Sequence, residues 1–268
     1  MGLLEYTDDK FERSIQNGIY KLSCLDSRRY LDFMKRALTE DDSFHGRNDE
    51  LMLDMLSYTL FADNIAAEHK PEYAVDEIRK RPYLKDELVE LFDWLYSHIN
   101  FVDKPSNLPY ECPLDVYCSY SRNQILKALR YEKQPSSMRE GVTFIPETKT
   151  DVFLVTLNKK DGEFTPSTQY NDYALDEYLF HWQSQSTTSS TSKTAMRYRN
   201  HKELGSEVLL FVRENKKESD TGMAQSYTFL GRCSFVSSEG SSPMNIIWKL
   251  EHPIPAKMIQ KVNRMIIG

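Results

Sequence analysis

The chain has 268 residues, 40% hydrophobic and 28% charged, with 34 Lys+Arg against 40 Asp+Glu for a formal net charge of -6. That length is compatible with two domains, each burying its own core, and an acidic balance ordinarily argues against a nucleic-acid partner. No apolar run approaches the ~20 residues of a membrane span, and Asp8 and Asp9 follow Met1 too closely for a signal-peptide pattern, so the expectation is a cytoplasmic protein with no membrane partner.

Residues 1–117 are expected to be helical. Leu31, Met34 and Leu38 recur on one helix face, Leu51, Met55, Leu56 and Leu60 on a second, and Leu84, Leu88, Leu91, Phe92 and Leu95 on a third. Asp26 and Asn48 mark helix starts, and Pro71 and Pro82 stand where a first turn tolerates proline. A bundle of about five short helices follows, with Met34, Met52, Met55, Trp94 and Tyr96 read as core.

Between Asn100 and Asp115, Pro105, Pro109 and Pro113 interrupt helix and give a stiff connector. Ser121–Leu129 then reads as a short capped helix. Beyond it the pattern turns to strands: 142–145, 152–157, 178–185, 208–213, 227–236 and 244–250, with a closing helix over 255–265. Six short strands with few helices predict a small curled β-barrel with flanking helices, so the fold class is α+β with domains at 1–117 and 118–268. The cysteines, Cys24, Cys112, Cys118 and Cys233, form no C-x-x-C pair and read as reduced thiols.

The acidity is uneven. Residues 1–117 hold 14 Lys+Arg against 24 Asp+Glu, a net of -10, whereas residues 118–268 hold 20 against 16, a net of +4. Within the basic half, Ser184–Thr194 has nine Ser or Thr among eleven residues and runs into Arg197, Arg199 and Lys202. Hydroxyls, amides, aromatic rings and positive charge on one surface suit a phosphate backbone and a base edge. Ser186, Thr188, Ser190, Lys193, Arg197, Arg199, Lys202 and Arg213 are the candidate backbone contacts. Tyr170, Asp172 and Tyr173 precede the strand carrying His181, Trp182, Gln183 and Gln185. Together these supply the aromatic faces, carboxylate and amides that an extruded cytosine requires. Strand alternation puts His181, Gln183 and Gln185 on one face and Trp182 and Ser184 on the other, so they cannot all be ligands.

Enzyme templates find little purchase. The sequence has no phosphate loop, no G-x-G-x-x-G and no G-x-S-x-G. Its six histidines have no zinc-type spacing, so neither a metal nor a cofactor is expected in this chain. Glu214-Asn215-Lys216 echoes the E-x-K half of a nuclease metal site, with Asp172 or Glu177 as the upstream carboxylate; that is the enzymatic alternative. A second alternative is a protein-interaction adaptor working through the helical half.

Several segments carry a family resemblance: Tyr120–Leu126, Phe180–Ser186, Arg197-Tyr198 with His201, Val208–Glu214, Tyr227–Gly231 and Pro243–Trp248. Together they resemble a bacterial family of unknown function found at the C-terminus of helicase-like proteins. Its best-known setting is the SauUSI-type, ATP-dependent type IV restriction endonuclease, where a phospholipase-D-like nuclease domain and a helicase motor precede it. The resemblance implies a non-catalytic, SRA/PUA-like module that recognises 5-methylcytosine or 5-hydroxymethylcytosine in double-stranded DNA by base flipping. It also implies a helical half coupling recognition to the motor, with ATP and Mg belonging to the parent enzyme's motor. This likeness assigns no pocket residues.

Overall fold

The computed structural model describes residues 10–40, 44–158, 172–256 and 259. The protein is α+β, helical in its N-terminal part and ending in a strongly curled half-barrel sheet. Two compact units form, Met1–Asp103 with Leu108–Ser137, and Lys104–Asn107 with Met138–Gly268. The division thus falls some twenty residues beyond the expected 117/118 boundary.

The first unit holds α1 (Lys10–Ser23), α2 (Arg28–Thr39), α3 (Arg47–Leu60), α4 (Asp63–Glu68), α5 (Tyr73–Arg79), α6 (Pro82–His98) and α7 (Arg122–Ala128). Apolar periodicity sets its core: Leu31, Met34 and Leu38 of α2, Leu51, Met55, Leu56 and Leu60 of α3, and Leu88, Phe92 and Leu95 of α6 are all buried. Trp94 and Tyr96, expected inside, are 56% and 39% exposed. They project from the polar side of α6, where Trp94 instead stacks on His98 one turn later at 4.0 Å. The caps differ too. Ser27, not Asp26, caps α2 by accepting from the Tyr30 amide, while Asp26 accepts from the Ser119 amide. Gly46 rather than Asn48 precedes α3.

Helix α7 joins this unit through a complete capping box, in which the Ser121 hydroxyl and the Gln124 side chain satisfy each other's backbone amides. Asn123 donates to the Tyr58 carbonyl of α3 at 3.1 Å. The Lys127 ammonium lies 4.0 Å from the Tyr58 ring centroid. These contacts to α3 are why residues after 117 belong with the helices.

Three two-residue strands, β1 (Lys104–Pro105), β2 (Asp115–Val116) and β3 (Ser119–Tyr120), precede the main sheet. The sheet is built from β4 (Val142–Ile145), β5 (Thr150–Thr156), β6 (Tyr173–Ala174), β7 (Leu179–Gln183), β8 (Glu207–Arg213), β9 (Tyr227–Gly240) and β10 (Met244–Leu250), in the order β4-β5-β8-β9-β10-β7-β6. Only β5 and β8 run parallel among these pairs. Among the described residues the path does not close, so the expected barrel is an open half-barrel. The short β6 and the helix α8 (Lys193–Arg199) were hidden in the sequence by polar, hydroxyl-rich surroundings. Of the expected closing helix, nearly all lies outside the described residues. Among the described residues, no helix is long and apolar enough to cross a membrane.

The curl has a visible cause. Strand β9 runs 14 residues and serves both halves of the sheet, pairing β8 through its first part and β10 through its second. Its register slips against each partner, leaving Leu230 and Val236 as extra residues. Such bulges bend a strand and tighten its twist. Gly231, beside the first bulge, has φ +99°, a conformation in which a Cβ is strained. The curl brings Phe153 of β5 face to face with Trp182 of β7, ring centroids 4.1 Å apart. Four inter-strand steps separate these strands, roughly 19 Å in a flat sheet. Tyr198 of α8 and Trp248 of β10 meet Phe153 edge-on at 5.5 Å each.

Gly231→Ala is expected to destabilise the protein by about 1–3 kcal/mol, the cost of a strained backbone conformation. Thermal unfolding read by near-UV circular dichroism, which reports the aromatic cluster, checks this; an unchanged midpoint would remove the bulge from the account of the curl.

Candidate nucleic-acid interface

The sequence-predicted residues separate into a group that faces outward on the half-barrel and a group consumed by the fold. Strand β7 alternates as expected: Phe180 and Trp182 are buried, while Leu179, His181 and Gln183 lie half-buried on the opposite face. Trp182 therefore belongs to the core, 3% exposed and sandwiched by Phe153 and Tyr198. It is not positioned with His181 and Gln183 as a ligand.

β6 brings Tyr173, half-buried and also packed against the core cluster, into register with His181, and their rings stack at 4.6 Å and 17°. Gln183 is the register partner of Asn245 on β10 and donates to its side-chain oxygen at 3.2 Å. Asp172 lies just before β6, where its carboxylate accepts from the Gln183 amide at 2.9 Å. It thereby extends the ladder past the end of the two-residue strand. Gln185 reaches Glu140 instead. Tyr170 lies outside the described residues. Asn245, invisible as a candidate from sequence, enters the group because β10 pairs with β7; no local sequence signal marks it.

The hydroxyl-rich segment is largely spent on its own structure. Ser184, buried, accepts from the Met244 amide at 2.8 Å. The Thr188 carbonyl accepts from Ser242, the Ser190 amide donates to the Ser241 hydroxyl, and Ser192 caps α8. These bonds pin the loop to the β9–β10 turn. Thr188 is buried; Ser186 and Ser190 are half-buried.

The arginines are engaged as well. Arg197 makes two 2.7 Å hydrogen bonds to Asp151, whose side chain is fully buried on β5, and lies 4.1 Å over the Phe144 ring. Hydrogen bonding to Asp151 raises the Arg197 pKa. Arg199 donates to the Ser190 carbonyl at 2.7 Å and contacts the Ser238 hydroxyl. Arg213 donates to Thr156 and to the Gln225 carbonyl, with its guanidinium 4.4 Å from the Tyr227 ring centroid. A planar fork of donors suits such fixed pairings. Lys193 and Lys202, by contrast, are exposed, so the outward positive charge comes from lysine where sequence reading favoured arginine.

Glu214 follows β8 into a hairpin in which Lys217 pairs with Ala224 and the Asn215 amide donates to Gln225. Among the described residues, no three His, Cys, Asp or Glu side chains converge as metal ligands.

A family profile described as "Domain of unknown function (DUF3427)" matches residues 114–262, more than half of the chain. The chain belongs to the DUF3427 family. The match includes α7 as well as the half-barrel, so the DUF3427 segment spans parts of both compact units. No functionally curated protein matches the chain.

One buried histidine of the DUF3427 segment has a defined protonation state. His201 accepts from the Phe235 amide at Nε2, 3.3 Å, and its Nδ1 lies 3.1 Å from the Ser206 carbonyl. Nδ1 therefore carries the single proton. Burial lowers its pKa from the ordinary 6.5.

Arg197→Ala is expected to destabilise the protein by about 3 kcal/mol, because it leaves the Asp151 carboxylate buried and unpaired; denaturant unfolding measures it, and a change under about 1 kcal/mol would contradict the pairing's structural role. A pH effect follows from His201. Its folded-state pKa lies below the unfolded one, so on acidification below about pH 6.5 the unfolded chain takes up a proton that the folded chain refuses, and stability falls. His201→Gln, which keeps one donor and one acceptor, should flatten this part of the thermal-midpoint curve between pH 7 and 5. Parallel curves for the two proteins would show that His201 is not the group responsible.

Proposed function

We propose that this chain is a non-catalytic DNA-recognition module that reads cytosine modified at C5, as 5-methyl or 5-hydroxymethyl, in duplex DNA. The observation that carries this reading is the outward cluster of Tyr173, His181, Gln183, Asn245 and Asp172 at the β6-β7-β10 end of the half-barrel. It pairs stacked aromatic rings with amides and a carboxylate, the groups that hold a flipped base and read its edge. Tyr173 and His181 already cover one another, so a base stacks on an outer face of the pair or enters by parting it. Gln183 and Asn245 exchange their mutual bond for bonds to the base, and Asp172 is the acceptor for the N4 amino group. Lys193 and Lys202 anchor the phosphates, while Arg197, Arg199 and Arg213 hold the scaffold.

The resemblance to the C-terminal part of SauUSI-type, ATP-dependent type IV restriction enzymes supports the same reading. In that setting the half-barrel plays the role of an SRA-like reader and the helical unit couples it to the motor. Cleavage then belongs to the nuclease domain of the parent enzyme.

Binding of duplexes identical except for C5 modification tests the proposal. One buried methyl contributes about 0.8 kcal/mol, about fourfold, so a modified-to-unmodified ratio above tenfold points to flipping with shape exclusion. His181→Ala is expected to lower that ratio toward one while retaining binding to unmodified duplex and the thermal midpoint. Equal affinity of the wild-type chain for both duplexes in several sequence contexts would overturn the reading.

A further inference from the structure

The half-barrel carries a second feature, a cleft of about 750 Å³ between the 201–207 turn, the middle of β9 and the C-terminal end of β10. Two carboxylates in it face one guanidinium. Arg232 grips Glu207 through two bonds of 2.8 and 2.9 Å and lies 3.8 Å from Glu251. Its remaining nitrogen donates to the Asn107 carbonyl. Lys202 and Lys249 also line the cleft, both exposed. Neither has an ion-pair partner among the described residues. Tyr178, 37% exposed, adds an aromatic wall. The lining thus carries three cations, Lys202, Arg232 and Lys249, against two carboxylates, a net of one positive charge, with both ammonium groups exposed beside a ring over a floor fixed by the Arg232 pairs and His201.

Its place relative to the base-reading cluster is set by strand register. Lys249, Ile247 and Asn245 alternate on one face of β10, with Leu179, His181 and Gln183 as their partners on β7. Lys249 is thus two residues from the level of His181, about 7 Å along the strand, and on the same face. That separation lets a phosphate at Lys249 and a base at His181 come from neighbouring nucleotides of one strand.

We infer that this cleft is a phosphodiester-binding site for DNA, with Lys202 and Lys249 as paired phosphate contacts and Tyr178 packing against the adjoining sugar or base. The inference rests on the proposed function for its ligand class, but not on recognition of the modification. Ammonium groups held at two points of the backbone add affinity that is independent of sequence and of the modification.

The test uses the full chain and short DNA duplexes with and without the C5 modification, by fluorescence anisotropy over a series of salt concentrations. Lys202→Glu with Lys249→Glu is expected to weaken binding to both duplexes by at least tenfold. The same pair should lower the salt slope by about two units, one for each lost phosphate contact, and leave the modified-to-unmodified ratio unchanged. Wild-type affinity and slope in this variant would overturn the cleft. In a second measurement independent of any variant's folding, the wild-type chain is acetylated with and without unmodified duplex and read by mass spectrometry. Protection of Lys202 and Lys249 supports the site, and unaltered reactivity of both counts against it. If the two lysines are protected but both duplexes bind equally, the phosphate site stands and the modified-base reading falls. If polyglutamate of matched charge protects them as well as DNA does, the cleft is a site for acidic peptides and the DNA assignment is wrong. Absence of any DNA binding at low salt overturns both.

Discussion

The stack of Phe153 on Trp182 is the contact on which the half-barrel depends. These rings come from strands four positions apart in the sheet, and their 4.1 Å separation is possible only if the sheet rolls up between them. The bulges of β9 permit the roll, and the aromatic cluster with Tyr198 and Trp248 rewards it by burying large apolar surfaces against each other. Remove the bend and the core opens; remove the core and nothing holds the bend.

That inward demand decides what faces out. Because Phe180 and Trp182 are committed to the interior, strand geometry presents Leu179, His181 and Gln183 on the other side. Antiparallel registry then adds Tyr173 from β6 and Asn245 from β10 beside them. The outward polar cluster is thus a consequence of core packing, which also gives it a rigid support.

Charge is handled by the same division. Arginines near the core are used as fixed forks: Arg197 on buried Asp151, Arg232 on Glu207, Arg213 between Thr156 and Gln225. Lys193, Lys202 and Lys249, each with a single mobile ammonium, remain at the surface. The local basic excess of the sequence is real, but part of it is internal wiring.

Local sequence rules reached far in this protein. Apolar periodicity marked the buried faces of α2, α3 and α6, the Ser121/Gln124 pair announced the capped helix α7, and β-branched and aromatic runs located β4 and β10 to the residue. These features depend on spacing of 3.6 or 2 residues and on caps, which neighbouring residues decide. Alternation also separated Trp182 from His181 and Gln183. What it could not decide was which residues share a surface across strands, since pairing partners are fixed by register over long separations. Asn245 joining Gln183, Lys249 lying near the level of His181, and Arg197 turning inward to Asp151 are all of this kind. So are α8, capped within a hydroxyl-rich run, and the open edge that leaves a half-barrel in place of a closed one. Such outcomes belong to the tertiary structure because they depend on the total curl of a sheet whose bend is set by two extra residues in one strand.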